Sequence, residues 1–189
     1  MELLKKKILE VGRVEGDGIL KVDSFLNHQL DVELLNEIGK EFYRLFKDYN
    51  ITKILTAEVS GIAIAAITAQ YFKVPVVFAK KTQSKNLDKD TYEGEVYSYT
   101  KDITYKIRVS KRYLDKKDNI LIVDDFLANG QALLGLKQII DSANCNLKGV
   151  GIVIEKGFQK GGKLIRDKGI NVKSLAIIEE MKDGNIIFK

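Results

Sequence analysis

The stretch that decides the fold is NILIVDDFLANGQAL, Asn119 to Leu133. Ile120, Leu121, Ile122 and Val123 form an unbroken apolar run, the mark of a strand buried on both faces. Asp124 and Asp125 stand where that strand emerges. The small loop Ala128-Asn129-Gly130-Gln131-Ala132 then leads into a helix read over Gln131 to Ala143. A glycine-containing loop ahead of a helix points backbone N–H groups at one spot, and the helix dipole adds positive potential there. Small side chains at Ala128, Gly130 and Ala132 let an anion approach the backbone closely. Two carboxylates beside a phosphate repel it unless they accept hydrogen bonds from hydroxyls on the same ligand. A phosphate on one side and a diol on the other describe a ribose 5-phosphate. Paired acids alone also read as a solvated strand end; the combination of apolar run, two acids and small glycine loop carries the functional reading.

Outward from this stretch the chain alternates strand and helix. Strands are read at Ile51 to Leu55, Val74 to Ala79, Leu147 to Ile154 and Val172 to Ile178, with helices at Ile62 to Phe72 and Gly161 to Asp167. That alternation predicts an α/β domain with a mainly parallel sheet, and in such sheets the ligand lies off the carboxyl ends of the strands. Glu95 to Thr100 and Ile103 to Val109 read as an antiparallel hairpin. Toward the start, Glu2 to Glu10 reads as a short helix and Ile19 to Val22 as a short strand. A longer helix follows, with Asp31 as N-cap and Leu34, Leu35, Ile38, Phe42, Leu45 and Phe46 near helical spacing.

The 189 residues are a prior for one domain spanning 1–189, with 45% apolar and 30% charged residues in a globular balance. Lys plus Arg is 31 against 26 Asp plus Glu, a net charge of +5. That surplus suits an anionic ligand without demanding nucleic acid. Cys145 is the one cysteine, which excludes an intrachain disulfide and makes a cytoplasmic setting the expectation. His28 is the one histidine, which excludes a histidine-rich zinc site and argues against a Ser-His or Cys-His catalytic pair. The apolar stretch Ile62 to Ala69 is far short of a membrane span, and Met1 to Glu10 has no targeting pattern, so no membrane association is expected.

ILIVDDFLANGQA resembles the phosphoribosyl-diphosphate-binding motif of type I phosphoribosyltransferases, with Asn129 and Ala132 where hydroxyl residues are usual. Together with GDGILKVDSFLNHQLD (Gly16 to Asp31) and VGIVIEKGFQ (Val150 to Gln159), it resembles the bacterial xanthine phosphoribosyltransferases nearly end to end. The resemblance implies a type I phosphoribosyltransferase fold: a central mainly parallel sheet flanked by helices, with a small hood from the N-terminal and C-terminal segments. Residues 1–35 would contribute to the purine-binding hood and 80–110 would form a mobile loop and hairpin. It implies purine salvage, joining xanthine to phosphoribosyl diphosphate (PRPP) to give xanthosine 5′-monophosphate (XMP) and pyrophosphate. Ala128, Asn129, Gly130, Gln131 and Ala132 would hold the 5-phosphate, and Asp124 and Asp125 the ribose hydroxyls. Leu20, Asn27 and Lys156 would contact xanthine. Mg2+ would arrive with the diphosphate, held by ligand oxygens and water. A homodimer is implied, and no side chain is assigned as a nucleophile.

An ammonium such as Lys156 favours oxo groups and the partly anionic xanthine over an exocyclic amine. Asn27 offers both donor and acceptor, and Leu20 an apolar wall. Read without the resemblance, Leu20 is equally plain core, Lys156 an ordinary surface lysine, and Asn27 with His28 a cap for the helix at Asp31. Phe158 reads as a stacking partner or as core. Ala57 to Gly61 reads either as an N–H cradle for pyrophosphate or as a turn with Ser60 as N-cap. Lys80 and Lys81 point toward the same side, and Thr82 to Tyr97 would be the loop that closes over the site. Two rivals stand beside this reading. One is a purine-responsive regulator of the same fold binding DNA or RNA, and the other is an enzyme preferring guanine or hypoxanthine. Only about fifty residues precede the core, and they hold the purine-contact string rather than a winged helix-turn-helix.

Overall fold

The computed structural model describes residues 1–16, 18–81, 90–99, 102–182 and 184–189. In chain order the elements are α1 (Glu2–Val11), β1 (Arg13–Glu15), β2 (Ile19–Lys21), α2 (Val32–Phe46), β3 (Lys53–Ala57), α3 (Gly61–Phe72), β4 (Val76–Ala79), β5 (Thr91–Ser98), β6 (Ile103–Ser110), β7 (Asn119–Leu127), α4 (Gln131–Ser142), β8 (Asn146–Lys156), α5 (Gly161–Asp167), β9 (Val172–Lys182) and β10 (Asn185–Phe188). Among the described residues the central sheet has six strands in the order β10-β9-β8-β7-β3-β4. Its pairs are parallel except β10 on β9.

The apolar runs explain the centre of this sheet. Ile120 to Val123 of β7 and Ile152 to Ile154 of β8 are almost wholly withdrawn from water, with apolar layers on both faces. On one face, α2 buries Leu34, Leu35, Ile38, Phe42 and Phe46 together with α3 and the N-terminal segment. The Asp31 side chain caps α2 by accepting from Leu34 N at 3.1 Å, as the sequence predicts. Phe42 and Phe46 lie against Gly151 and Gly149 of β8, where a Cβ would come within 2.8 and 2.4 Å of the rings. On the other face, Leu133, Leu136, Ile139 and Ile140 of α4 pack with Val96, Ile107 and Val109 of the β5–β6 hairpin.

The N-terminal segment forms the hood. β1 and β2 pair antiparallel, and a tight turn over Asp23–Asn27 follows, with Phe25 and Leu26 buried. The C-terminus joins it: the Met1 amino group donates to Leu175 O, and Lys5 Nζ donates to Lys189 O at 3.3 Å.

Three expectations change. β7 does not stop before the two acids but runs on to Leu127 and carries them, because Phe126 and Leu127 still pair with Ile154 and Glu155 of β8. β10 has no counterpart in the sequence reading. Its Ile186 and Ile187 lie opposite Met181 and Glu180 across a short antiparallel turn, a pairing that only the neighbouring strand stabilises. The supposed closing segment Thr82 to Tyr97 divides: Thr91 to Tyr97 belongs to β5, in full register with β6, and 82–89 lie outside the described residues.

The hairpin is fixed on α4 by two glycines. A Cβ on Gly94 would lie 2.0 Å from Gly135 O, and one on Gly135 would lie 2.7 Å from Val96 Cγ2. This close approach sets the hairpin as one wall of the site. Gly94→Ala is therefore expected to destabilise the fold by about 2 kcal/mol through overpacking. Urea unfolding reads this as a lower midpoint; an unchanged midpoint would show that the strand yields freely.

Candidate active site

β3, β4 and β7 run parallel; β3 and β4 end together, with Ala57 level with Ala79, while β7 runs on past them to Leu127. Beyond these ends lies a cleft of about 200 Å³, lined by Glu58 to Gly61, Lys81, Asp124, Asp125, Ala132 and, from the hairpin, Tyr105. A parallel sheet directs its ligand to this edge.

Asp124 is 7% exposed. Burial, followed by the charge of Asp125, pushes its carboxyl well above the usual carboxylate range, and the charge of Lys81 counters this in part. Asp124 Oδ1 accepts from Asp125 N at 3.0 Å, and Asp125 Oδ1 accepts from Phe126 N at 2.9 Å. The strand's own backbone thus aims both carboxyls. Asn27 of the hood donates to Asp125 Oδ2 at 2.8 Å across 98 positions of sequence.

The loop Ala128–Ala132 borders an adjoining cavity of about 250 Å³, roofed by Tyr97 and Tyr99. Gly130 has φ +79 and sits at the N-cap of α4, a left-handed conformation that glycine adopts without strain. The twelve-residue helix behind it orients its dipole toward this loop.

The turn 57–61 meets the same cleft. Glu58–Val59 is a cis peptide, and Glu58 Oε1 accepts from Lys81 N at 2.6 Å, tying the end of β4 to this turn. Ser60 occupies the N-cap position of α3, but its side chain makes no capping bond. The two lysines part company. Lys81 lines the cleft, whereas Lys80 is bridged through its backbone to Arg108 and holds its ammonium 5.9 Å from the centre of the Phe78 ring.

Lys156 ends β8. Its Nζ donates to Gly18 O at 2.8 Å and lies 5.7 Å from the centre of the Phe126 ring, and burial lowers its pKa. Phe158 is 44% exposed, with its ring edge beside Gly18. Leu20 is 6% exposed and belongs to the apolar core. Asn27 takes no part in capping α2, since Asp31 does that itself. The structure therefore gathers Asp124, Asp125, Asn27 and Ala128–Ala132 at one mouth, with Lys156 beside Phe126. The Leu20 side chain is turned into the core. Tyr105 and the Glu58 tie to Lys81 had no signal in the sequence, because both depend on the hairpin and β4 meeting in space.

A family model for the phosphoribosyl transferase domain matches residues 21–182. This chain belongs to the phosphoribosyl transferase domain family. Among its relatives is a xanthine phosphoribosyltransferase of Alkaliphilus metalliredigens, 69% identical over all of this chain and 94% of the relative. Another, from Clostridium novyi, is 65% identical over the whole of both. The fold is shared with an adenine phosphoribosyltransferase of Giardia lamblia complexed with 9-deazaadenine, at TM-score 0.78 and 22% identity, covering 94% of this chain and 98% of that one. A Trypanosoma brucei adenine phosphoribosyltransferase in complex with AMP, pyrophosphate and ribose-5-phosphate gives TM-score 0.77 at 20% identity, covering 95% and 82%. The mainly parallel sheet of this phosphoribosyltransferase is thus the family's domain, as the motif reading expects.

Because the Asp124 carboxyl is raised in the folded protein, the native state holds a proton that the unfolded chain releases at about pH 4. Its contribution to stability is present below that pH and declines as pH rises toward the folded value. Asn mimics the protonated form. Asp124→Asn is expected to melt above the parent at pH 8 and level with it near pH 4, an ordinary aspartate pKa. Equal melting temperatures at pH 8 would contradict the burial argument.

Proposed function

We propose that this phosphoribosyltransferase transfers the 5-phosphoribosyl group of PRPP to xanthine, giving XMP and pyrophosphate. The observation that carries the reading is the meeting, at one mouth, of a glycine loop at a helix start and two carboxyls, with the half-buried Lys156 ammonium beside it on Phe126. High identity to proteins named for this activity supports the choice of base.

In this reading the N–H groups of Ala128–Ala132 grip the 5-phosphate, and Asp124 and Asp125 accept from the ribose hydroxyls. The 7% exposure of Asp124 then acquires a purpose, since the diol replaces water that the fold excludes. Lys156 faces the oxo groups and the partial negative charge of xanthine. Its donation to Gly18 O holds the ammonium in place until the base arrives. Asn27 adds an amide at the ring edge. Leu20 backs that edge from within the core, and Phe158 flanks it.

A ring nitrogen of the base attacks the anomeric carbon as the bond to diphosphate oxygen breaks. Positive charge gathers on the sugar and negative charge on the leaving group. Lys81 and the turn 58–61 stand where the diphosphate would lie. Among the described residues Lys81 is the lysine that lines this cleft, and a single ammonium does not balance a diphosphate, so the cleft's charge fits Mg2+ carried in by the substrate. That ion would be held by ligand oxygens and water, and it would draw off leaving-group charge. No side chain acts as a nucleophile. We include a cytoplasmic homodimer, binding neither nucleic acid nor membrane, in the same reading; among the described residues no helix is long and apolar enough to cross a membrane. Sedimentation at twice the mass of one chain is the expected outcome.

Turnover compared across xanthine, guanine, hypoxanthine and adenine is the deciding experiment, with xanthine expected to lead. A lead by guanine or hypoxanthine would move the assignment to the other oxopurines. Lys156→Ala is expected to lower kcat/KM for xanthine about 30-fold, the loss of a charged hydrogen bond, while KM for PRPP holds. Asp125→Asn is expected to raise KM for PRPP about tenfold. An unchanged value in steady-state kinetics would remove the diol argument.

A further inference from the structure

Glu155 stands one residue before Lys156 on β8 and is 3% exposed. Its two carboxylate oxygens accept from Arg166 Nη1 and Nη2, each at 2.7 Å, and Ser174 of β9 donates a further bond. Burial pushes the carboxyl up, but these bonds outweigh it and hold the group below its ordinary value. Arg166 lies in the last turn of α5, with its outer side in solvent. None of these groups reaches the cleft.

Between this pair and the phosphate loop lie two consecutive glycines. A Cβ on Gly162 would fall 2.0 Å from Glu155 Oε1 and 2.7 Å from Arg166 Nη1. A Cβ on Gly161 would fall 2.2 Å from Ala128 O and 2.7 Å from Gly130 N. Gly161 N–H also donates to Ala128 O at 3.0 Å. The first two residues of α5 are therefore bare backbone, pressed on one side by the ion pair and on the other by the loop. A helix of seven residues has little intrinsic stability, so its position is set by what holds it. Ile165 anchors it in the core, and the Arg166 fork fixes its rotation against β8.

We propose that Glu155 and Arg166 are positioning residues for PRPP, acting on the backbone cradle Ala128–Gly130 through the Gly161-Gly162 spacer. The inference rests on the reading that this cradle holds the 5-phosphate. Hydrogen-bond donors aimed at a phosphate lose their effect with small displacements, so a shift of α5 weakens sugar phosphate binding without touching the reacting atoms. Because Glu155 adjoins Lys156 on one strand, the cradle and the purine ammonium share a single reference.

The test uses the full chain. Glu155→Met/Arg166→Met removes both charges without leaving one buried and alone, which often preserves stability. Arg166→Lys keeps the charge but not the two-pronged geometry. For the double variant KM for PRPP is expected to rise about tenfold, with kcat within about twofold and KM for xanthine little changed. Arg166→Lys is expected to fall between it and the parent. A folded double variant with the parental KM for PRPP would overturn the proposal. If the double variant does not fold, a parental KM in Arg166→Lys would overturn it equally. Ala132→Leu, which fills the cradle itself, separates the two levels: if it binds PRPP as the parent does, the phosphate-loop reading fails. If it loses PRPP while the ion-pair variants keep parental values, only the positioning role fails.

Discussion

The structure turns on a carboxyl group kept from water at the end of its central strand. Asp124 is buried beside another acid, an arrangement that costs stability unless something supplies hydrogen bonds to it. Among the described residues, the groups that favour its charged form are the backbone N–H of Asp125 and the charge of Lys81. Its neighbours are trimmed to make room. A Cβ on Gly61 would lie 3.0 Å from Asp124 Oδ1 and 2.0 Å from Thr56 Oγ1. In the proposed reading the hydroxyl groups of the sugar supply the hydrogen bonds that the fold leaves out.

Two appended pieces close around that point. The hood reaches it through Asn27, whose amide meets Asp125, and through Gly18, whose carbonyl holds Lys156. The hairpin reaches it through Tyr105 and is seated on α4 where Gly94 and Gly135 bring two backbones together. Neither piece has an extended core of its own. Each is held by contact with the central sheet and its helices, which gives the hood and the hairpin a common support.

Much of this was legible in the order of residues. The apolar run 120–123, the two acids and the glycine loop located the mouth, because a doubly buried strand followed by a helix start admits few alternatives. The helix at Asp31 was equally plain, since cap and apolar spacing agree locally. β10 and the extension of β7 were not legible, because both owe their existence to a neighbouring strand rather than to their own pattern. Lys80 and Lys81 were equivalent in sequence. Only the backbone bridge to Arg108 and the Glu58 contact separate them. Leu20 was open between wall and core, and its side chain lies in the core.

The sequence by itself determined the alternation of elements, the glycine loop at the start of α4 and the position of the acids, because these follow from burial periodicity, glycine conformation and helix signals within a dozen residues. The tertiary structure alone decided that Asn27 meets Asp125, that Glu155 is held by Arg166, and that two bare glycines carry this pair to the loop. Those are contacts between side chains or backbones far apart along the chain. Their existence depends on distances of a few tenths of an ångström that no local pattern encodes.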